Sequence, residues 1–236
     1  MALPLSGRLA LVTGASRGIG AATAEALARA GAHVVLTART AGGLEEVEER
    51  IHQAGGSATI APLDLVENDS IGRLAEALAT RWKSLDIMVL NAAMLGTLAA
   101  VPAIDAKEFA RVLTLNLMAQ QQLIAHLDPL LRASSDASLI GVTSSLAGQA
   151  RPYWAGYGAS KAGFEHLLCA YGQEVERISK IKVALVDPGA TRTRMRASAY
   201  PGEDPASVKE PTAVGEAILR LIERGFETGH RMRVDG

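Results

Sequence analysis

The sequence contains one cysteine, Cys169, and aromatic residues make up only 4% of it. A single cysteine excludes an internal disulfide framework and is compatible with a reducing compartment. With so few aromatic rings, the core must be built mainly from Ala, Leu, Val and Ile, within an apolar share of 48%. Such a composition suits helices packed on a parallel sheet better than a sandwich of two sheets.

Strong net charge, long apolar runs and clustered metal ligands are also lacking. The formal net charge is −1, and no basic stripe or aromatic platform suggests a nucleic-acid partner. No apolar run approaches the ~20 residues that a membrane-spanning helix needs, and Met1–Gly7 has no signal-peptide character. The five histidines lie far apart, without HxxxH or CxxC spacing. We therefore expect a cytoplasmic protein with no membrane, nucleic-acid or metal partner.

Short apolar runs alternate with helical patterns along the chain. Leu44, Val47 and Ile51, for example, recur at spacings of three and four, which is typical of a helix with one buried face. The predicted strands cover Arg8–Thr13, His33–Thr37, Ala58–Leu63, Asp86–Leu90, Ser138–Val142, Lys182–Val186 and Met232–Val234. The predicted helices cover Gly20–Ala30, Leu44–Gln53, Ser70–Trp82, Ala106–Leu131, Gly158–Arg177 and Pro211–Arg224.

This alternation predicts a single α/β domain over residues 1–236. The expected fold is a Rossmann-type, doubly wound parallel sheet of about seven strands with helices on both faces. Thr191–Glu210, rich in Arg, Pro, Ser and Gly, is the stretch that does not follow the pattern. A long irregular segment in a compact domain is usually functional, so we predict a substrate loop around residues 191–210.

Three glycines, Gly14, Gly18 and Gly20, lie where the first predicted strand turns into a helix. Such a turn brings backbone N–H groups and the positive helix end against a phosphate, and glycine permits this approach without a Cβ clash. The spacing TGxxxGxG differs from the commoner GxGxxG, but its position at the first strand–helix junction predicts dinucleotide binding. The other residues of this turn in the predicted site are Ser16, Arg17 and Ile19.

The end of the second predicted strand favours NADP(H) over NAD(H). An NAD site usually has an acidic residue about 20 residues after the glycines, where it binds the ribose 2′-hydroxyl. This sequence has Ala38 and Arg39 there instead. A guanidinium complements a 2′-phosphate, and Arg17 offers a second positive charge.

Tyr157 and Lys161 lie four residues apart, and on a helix they would share one face. A free phenol has a pKa near 10 and is a poor acid–base catalyst at neutral pH. A nearby ammonium favours the phenolate and lowers that pKa. A YxxxK pair alone is common by chance. Here, however, Ser144 and Ser145 follow a predicted strand at the edge where open α/β sheets bind their ligands.

Several motifs occur in order along the chain: TGxxxGxG, an Asn-Ala-Ala segment at Asn91, a serine before the YxxxK pair, and Pro188-Gly189 after the next strand. From about Arg8 to Met195 the sequence thereby resembles the short-chain dehydrogenase/reductase family. Each motif is moderately specific, whereas the ordered set is highly specific.

The resemblance implies four catalytic residues. Ser145 is expected to hydrogen-bond the substrate oxygen, and Tyr157 to give or take its proton. Lys161 is expected to lower the pKa of the tyrosine and to hold the nicotinamide ribose. Asn116 matches the family's helix asparagine, which supports a water-mediated proton relay to the lysine.

The resemblance also implies further cofactor contacts: a pair flanking the adenine, a central-strand asparagine with its neighbour, and a segment that grips the nicotinamide carboxamide and the phosphates. Asp64 and Leu65 are the pair expected to flank the adenine. Asn91 is the central-strand asparagine, and Ala92 is its neighbour. The segment expected to grip the carboxamide and the phosphates consists of Pro188, Gly189, Thr191 and Thr193.

Two departures from the family pattern affect the site. The usual Asn-Asn-Ala-Gly reads Leu90-Asn-Ala-Ala93 here, which keeps Asn91 but removes an asparagine and a glycine. The interval from Ser145 to Tyr157 is one residue shorter than the commonest spacing. Ser144 restores that count, whereas Ser145 better matches the residue before Leu-Ala-Gly. Ser145 is favoured, and Ser144 stays an alternative.

The implied reaction is hydride transfer between a nicotinamide and a carbonyl carbon, in either direction, with Tyr157 handling the proton. The substrate pocket is expected to draw on mostly apolar residues, which suggests a hydrophobic ketone or secondary alcohol. These residues are Met94, Leu95, Trp154 and Met195, with Tyr200 nearby. One alternative is a 3-oxoacyl-[acyl-carrier-protein] reductase-like activity, and an alternative of another class is a non-catalytic NADP-binding sensor.

Members of the family usually associate through two long helices, so the resemblance also implies a homotetramer or homodimer. The corresponding predicted helices are Ala106–Leu131 and Gly158–Arg177, and Leu168 and Cys169 lie on the second.

Overall fold

The computed structural model describes residues 3–67 and 69–235, so residues 1, 2, 68 and 236 of the predicted domain lie outside the described part. Within it, seven strands form one parallel sheet in the order β3-β2-β1-β4-β5-β6-β7. The strands are β1 Leu9–Thr13, β2 His33–Ala38, β3 Ser57–Pro62, β4 Ile87–Leu90, β5 Ala137–Val142, β6 Ile181–Asp187 and β7 His230–Arg233.

Eight α-helices accompany these strands in the described residues. They are α1 Gly18–Arg29, α2 Ala41–Gln53, α3 Ser70–Arg81, α4 Ala106–Leu113, α5 Ala119–Ala133, α6 Ala155–Val175, α7 Arg194–Ala199 and α8 Pro211–Arg224. The strand–helix alternation predicted from the sequence is confirmed, and so is the Rossmann-type sheet.

Helices cover both faces of the sheet, and each face has its own core. Alternate strand residues point to opposite faces, so Val12 packs with α1, α2 and α8, whereas Leu11 packs with α3, α5 and α6. Both residues are fully buried. Strands buried on both faces explain the continuous apolar runs that were visible in the sequence.

The chain winds in two directions from β1 and the neighbouring central strand β4. β1 pairs with β2 on one side and with β4 on the other. The connections leaving β1 and β4 therefore run to opposite faces and leave a crevice at the carboxyl ends of the two strands. Open α/β sheets bind their ligands in such a crevice.

One correction concerns the long helix predicted over Ala106–Leu131. It is interrupted between α4 and α5 by a π-helical segment, Thr114–Met118, which contains Asn116. Gln120 donates a side-chain hydrogen bond to the Leu115 carbonyl at 2.9 Å and so helps to satisfy the altered turn. Such π segments frequently occur at functional sites.

A second correction concerns the irregular stretch predicted over Thr191–Glu210. It contains α7, whose first turn is capped because the Thr193 hydroxyl accepts a bond from Arg196 N–H at 3.1 Å. A short 3₁₀ turn, Pro205–Ser207, is capped in the same way by Asp204. Side-chain caps thus let short helices form where hydrophobic periodicity is absent.

Other element ends differ from the predicted ones by a few residues. The most relevant is α6, which begins at Ala155 rather than Gly158, so that Tyr157 lies in its first turn. Throughout the described ranges, no helix combines the length and apolarity that a membrane crossing requires.

Candidate active site

A cavity of about 920 Å³ opens at the crevice beside β1 and β4. This size is at the upper end of typical small-molecule sites. It brings together nearly every predicted site residue, and only Gly20 and Asn116 are absent from its wall. The predicted residues that line it are Gly14, Ser16, Arg17, Gly18, Ile19, Arg39, Asp64, Leu65, Asn91, Ala92, Met94, Leu95, Ser145, Trp154, Tyr157, Lys161, Pro188, Gly189, Thr191, Thr193 and Met195.

The glycine turn between β1 and α1 has the geometry of a phosphate cradle. Gly14 and Gly18 adopt φ values of +65° and +57°, which L-residues with a side chain rarely reach. A Cβ on Gly20 would lie 2.3 Å from the Gly14 carbonyl oxygen, so only glycine fits there. The open backbone and the start of α1 at Gly18 therefore fit the phosphates of a dinucleotide.

A hydrogen-bonded tie between β1 and the end of β4 fixes the floor of the cavity. The Thr13 hydroxyl accepts bonds from the backbone N–H groups of Asn91 and Ala92 at 2.9 and 3.0 Å. The Asn91 amide donates to the Thr13 carbonyl at 2.8 Å. Leu90, which stands where the family pattern Asn-Asn-Ala-Gly has its first asparagine, is buried in the core. Asn91 still forms the bonds that join the end of β4 to β1.

The end of the cavity beside β2 carries exposed positive charge. The side chain of Arg39 is 66% exposed, and its guanidinium lies 4.0 Å from the Asp64 carboxylate. Arg17 is also exposed and lines the same wall. Position 38, at the end of β2, is alanine. A 2′-phosphate placed here would meet a guanidinium rather than a carboxylate at the strand end.

Tyr157 and Lys161 are both buried against the cavity wall, with relative exposures of 9% and 3%. The Lys161 ammonium lies 5.9 Å from the centre of the Tyr157 ring and donates a 2.8 Å bond to the Val142 carbonyl. The pair is therefore assembled on one helix face, as the four-residue spacing predicted.

The predicted lowering of the tyrosine pKa is not what this arrangement produces. Burial raises the pKa of Tyr157 above its ordinary value, and the negative charge of Asp187 adds to that shift. Burial also lowers the pKa of Lys161 to about 8, against a smaller opposing effect of Glu165. The correction has a simple cause: both groups are withdrawn from water, which penalises their charged forms. Tyr157 is held as a neutral phenol.

Glu165 was not singled out from the sequence, although it lies one helical turn after Lys161 on α6. Its carboxylate accepts a 2.6 Å bond from the Thr143 hydroxyl and forms an ion pair with Arg231 of β7. Thr143 directly follows Val142, the residue whose carbonyl holds the lysine. The i,i+4 spacing from Lys161 is the signal that could have identified this carboxylate.

Asn116 lies in the π-helical segment and is buried behind the cavity rather than in its wall. Its side chain accepts a bond from Met94 N–H at 2.8 Å and donates to the Met94 carbonyl at 2.9 Å. It also donates to the Ser160 hydroxyl at 3.0 Å, which in turn donates to the Tyr157 carbonyl at 2.7 Å. Asn116 thus connects the loop after β4 with the helix that carries the tyrosine.

Both candidate serines line the cavity after β5. Ser145 begins a short 3₁₀ turn, Ser145–Ala147, and Ser144 caps that turn by accepting a 3.3 Å bond from Leu146 N–H. Ser144 is therefore partly engaged with its own backbone.

The substrate side of the cavity is less apolar than predicted. Trp154 stands edge-on to Tyr157, with ring centres 6.2 Å apart, and lies 5.6 Å from the ring of Tyr200. Two arginines that the sequence reasoning missed, Arg151 and Arg196, line the wall beside these rings. Because the two arginines are far apart in the sequence, no sequence pattern indicated that they would lie side by side.

No group of three or more His, Cys, Asp or Glu side chains is placed to hold a metal ion in the part of the chain that the structure describes.

Comparisons with known proteins agree with this geometry. The family model described as short chain dehydrogenase matches residues 8–204. The oxidoreductase YciK of Escherichia coli (strain K12) is 34% identical over 92% of this chain and 87% of its own. A rhamnolipids biosynthesis 3-oxoacyl-[acyl-carrier-protein] reductase of Pseudomonas aeruginosa is 34% identical over 89% of this chain and 82% of its own. A short chain dehydrogenase of Shigella flexneri 2a, solved in complex with NADP, superposes with a TM-score of 0.94 at 32% identity and covers 99% of both chains.

Proposed function

The chain belongs to the short-chain dehydrogenase family of oxidoreductases, and on that premise we propose that it interconverts a ketone or other carbonyl and a secondary alcohol with NADP(H). The observation that carries the proposal is one cavity that joins the glycine turn to Tyr157, Lys161 and the two serines. A dinucleotide and a small substrate can meet in it.

The residues proposed to hold the cofactor fall into two groups. Gly14, Gly18 and the start of α1 would bind the phosphates, and Arg17 and Arg39 would bind a 2′-phosphate. NADP is favoured because position 38 offers no carboxylate, and because a solved neighbour was crystallised with NADP. The bound nicotinamide would supply the hydride.

Tyr157 is proposed to transfer the proton. Because burial raises its pKa, the phenol is protonated at neutral pH, and we expect it to give that proton to the oxygen of a carbonyl being reduced. Oxidation of the alcohol would follow the same path in reverse. Lys161 is proposed to hold the nicotinamide ribose and to keep a positive charge near the phenol.

Ser145 is proposed to hydrogen-bond the substrate oxygen, with Ser144 as the alternative. Replacing each serine by alanine distinguishes them: the residue that contacts the substrate should lose far more kcat than its neighbour, by about 10²-fold or more. Equal losses in both variants would contradict an assignment to either one.

A second candidate reaction is the reduction of a 3-oxoacyl thioester. The relative from Pseudomonas aeruginosa bears that activity in its name, and the arginines on the substrate side would suit an anionic carrier. The intact set of Tyr157, Lys161 and two serines argues against a sensor without turnover. The cytoplasmic location, the single-domain organisation and the homo-oligomeric state stay predictions from the sequence.

The test is a panel of ketones, aldehydes and an acetoacetyl thioester assayed with NADPH and NADH in parallel. We expect carbonyl-dependent oxidation of NADPH, with kcat/KM at least about tenfold higher than with NADH. Preference for NADH would overturn the cofactor assignment, and no turnover with any carbonyl would overturn the proposed reaction.

A further inference from the structure

Helix α7 spans the cavity from the glycine turn to the substrate side. At its start, the Thr193 methyl lies 3.4 Å from the position a Cβ would take on Gly18. At its end, Tyr200 faces Trp154, which contacts Tyr157. Groups beside Tyr200 therefore lie on the side where the substrate must bind.

Tyr200 packs against a charged pair that Arg196 of α7 forms with Glu203, which lies beyond the helix. The guanidinium of Arg196 lies 3.7 Å from the centre of the Tyr200 ring. That guanidinium also forms two bonds to the Glu203 carboxylate, at 2.7 and 2.5 Å. Since its charge is balanced by Glu203, Arg196 orients the tyrosine ring rather than offering a charge to a ligand.

Arg151 differs from Arg196 because its charge has no partner. It donates a 2.7 Å hydrogen bond to the Tyr200 hydroxyl, and among the described residues no carboxylate lies within ion-pair distance of it. One bond uses one of five guanidinium donors, so the remaining donors can bind an anion in a bidentate manner. The tyrosine holds the group in position in advance.

The other charged residues in the cavity wall do not neutralise Arg151. Asp64 and Asp187 are the carboxylates among the lining residues that the structure describes, and each pairs with an arginine, Arg39 and Arg233 respectively. Among the described residues, neither carboxylate forms an ion pair with Arg151 or a hydrogen bond with Tyr200. The charge of Arg151 thus stays unbalanced, in a protein whose net charge is −1.

We infer that the Arg151 guanidinium, held by the Tyr200 hydroxyl, binds an anionic group of the substrate while Tyr157 protonates its carbonyl oxygen. The inference rests on the proposed function and narrows its substrate class to carbonyl compounds that carry a carboxylate or a phosphate. Two ring contacts separate Tyr157 from the Tyr200 hydroxyl that holds Arg151. The Tyr157 and Trp154 ring centres lie 6.2 Å apart, and those of Trp154 and Tyr200 lie 5.6 Å apart. The anion must therefore be separated from the carbonyl by several bonds.

The experiment compares oxo acids with their uncharged methyl esters, in a series from 4-oxopentanoate to 8-oxononanoate, with NADPH as cofactor. The wild type should prefer at least one of the longer acids to its ester by about tenfold or more in kcat/KM, expressed mainly in KM. In Arg151→Gln the acid-to-ester ratio should fall towards one. Tyr200→Phe, which keeps the ring but removes the hydroxyl, should lower the ratio in part.

Arg192→Gln is the matched control, because Arg192 pairs with Glu210 and does not line the cavity. It should leave the acid-to-ester ratio at the wild-type value. Acetoacetyl-CoA and acetoacetyl-N-acetylcysteamine form a second pair that differs in phosphates. The wild type could prefer the CoA ester to the N-acetylcysteamine ester and lose that preference in Arg151→Gln, while it shows no preference for oxo acids over their methyl esters. That result would identify the bound anion as a phosphate of the carrier.

Equal kcat/KM for both members of every pair, or a preference that survives Arg151→Gln, would overturn the inference. Neither result contradicts the proposed function, because turnover of the neutral esters with NADPH would demonstrate that function independently. Absence of turnover with esters, acids and thioesters alike would instead count against the proposed function.

Discussion

Lys161 is nearly fully buried, and its ammonium is held by the Val142 carbonyl, with the Glu165 carboxylate one helical turn away. Burial lowers the pKa of Lys161 to about 8, whereas Glu165 raises it. Tyr157, on the same helix face, is kept neutral by burial. The charge beside the phenol therefore depends on Lys161 and, through it, on Glu165.

This dependence predicts a pH effect. If the ammonium form of Lys161 is required, kcat/KM for carbonyl reduction should fall as the pH rises through about 8. Glu165→Gln removes a charge that raises the lysine pKa, so the fall should move to lower pH. The side chain keeps its shape and can still accept the bond from Thr143. A pH–rate profile measures the shift.

Glu216→Gln serves as the control for that experiment, because Glu216 pairs with Arg29 on the opposite face of the sheet. It should leave the profile in place. A Glu165→Gln profile that coincides with the wild type would mean that Glu165 only joins α6 to β7.

Arg39 is the residue on which the cofactor preference depends. Its guanidinium is largely exposed, and its neighbour Asp64 competes with a phosphate for it. Arg39→Gln should lower kcat/KM for NADPH by about tenfold, since an exposed charge-assisted bond is lost. The value for NADH should change much less, because NADH has no 2′-phosphate. Parallel steady-state assays measure both.

Arg50→Gln provides the comparison, because Arg50 pairs with Glu25 away from the cavity. Equal losses with NADPH and NADH in Arg39→Gln would contradict a contact with the 2′-phosphate.

At the scale of elements, the sequence predicted what depends on local pattern. Leu44, Val47 and Ile51 recur at helical spacing, and all three are buried on α2. The π-helical segment was not predictable in this way, because the side chains of Asn116 and Gln120 donate hydrogen bonds to distant backbone carbonyls, those of Met94 and Ala92. Helix α7 was missed because short helices depend on caps and packing rather than on periodicity.

Asn116 carries an element-scale prediction, because it connects the loop after β4 with α6 through three side-chain bonds. Asn116→Ala should lower the free energy of unfolding by about 2–4 kcal/mol, since buried partners are left unsatisfied. Asn116→Asp keeps the acceptor for Met94 N–H but turns a second oxygen towards the Met94 carbonyl in a buried position, so it should lose at least as much. Urea denaturation of the variants measures the difference.

Gln121→Ala, an exposed change on α5, should leave the stability within about 0.5 kcal/mol. An Asn116→Ala variant as stable as this control would show that the three bonds contribute nothing to the fold.

At the scale of the whole molecule, the charge distribution differs from the net charge. The chain has a net charge of −1, yet Arg17, Arg39, Arg151 and Lys161 all face one cavity. Positive side chains outnumber the two carboxylates of its wall, Asp64 and Asp187, and such an excess concentrates ligands of the opposite sign. Sequence reasoning could predict the cofactor side of this cleft from the spacing of the glycines and Arg39. It could not predict the substrate side, where residues 151 and 200 meet only through the fold.

Assembly is also a property of the whole molecule. The family resemblance predicts a dimer or tetramer that would form through α4, α5 and α6. Met118 is 60% exposed between α4 and α5. Burying apolar side chains of this kind is what a stable interface requires. Met118→Glu should therefore reduce the molar mass measured by light scattering. A monomeric wild type would contradict the prediction, and so would an oligomer unaffected by Met118→Glu.

Proton transfer by Tyr157 during NADPH-dependent carbonyl reduction can be tested with the variant Tyr157→Phe. Phenylalanine keeps the ring that packs against Trp154 but removes the hydroxyl. We predict that kcat falls by about 10²–10⁴-fold, while the Kd for NADPH, measured by calorimetry, changes less than about threefold. A variant that retains kcat within about threefold of the wild type would contradict the account.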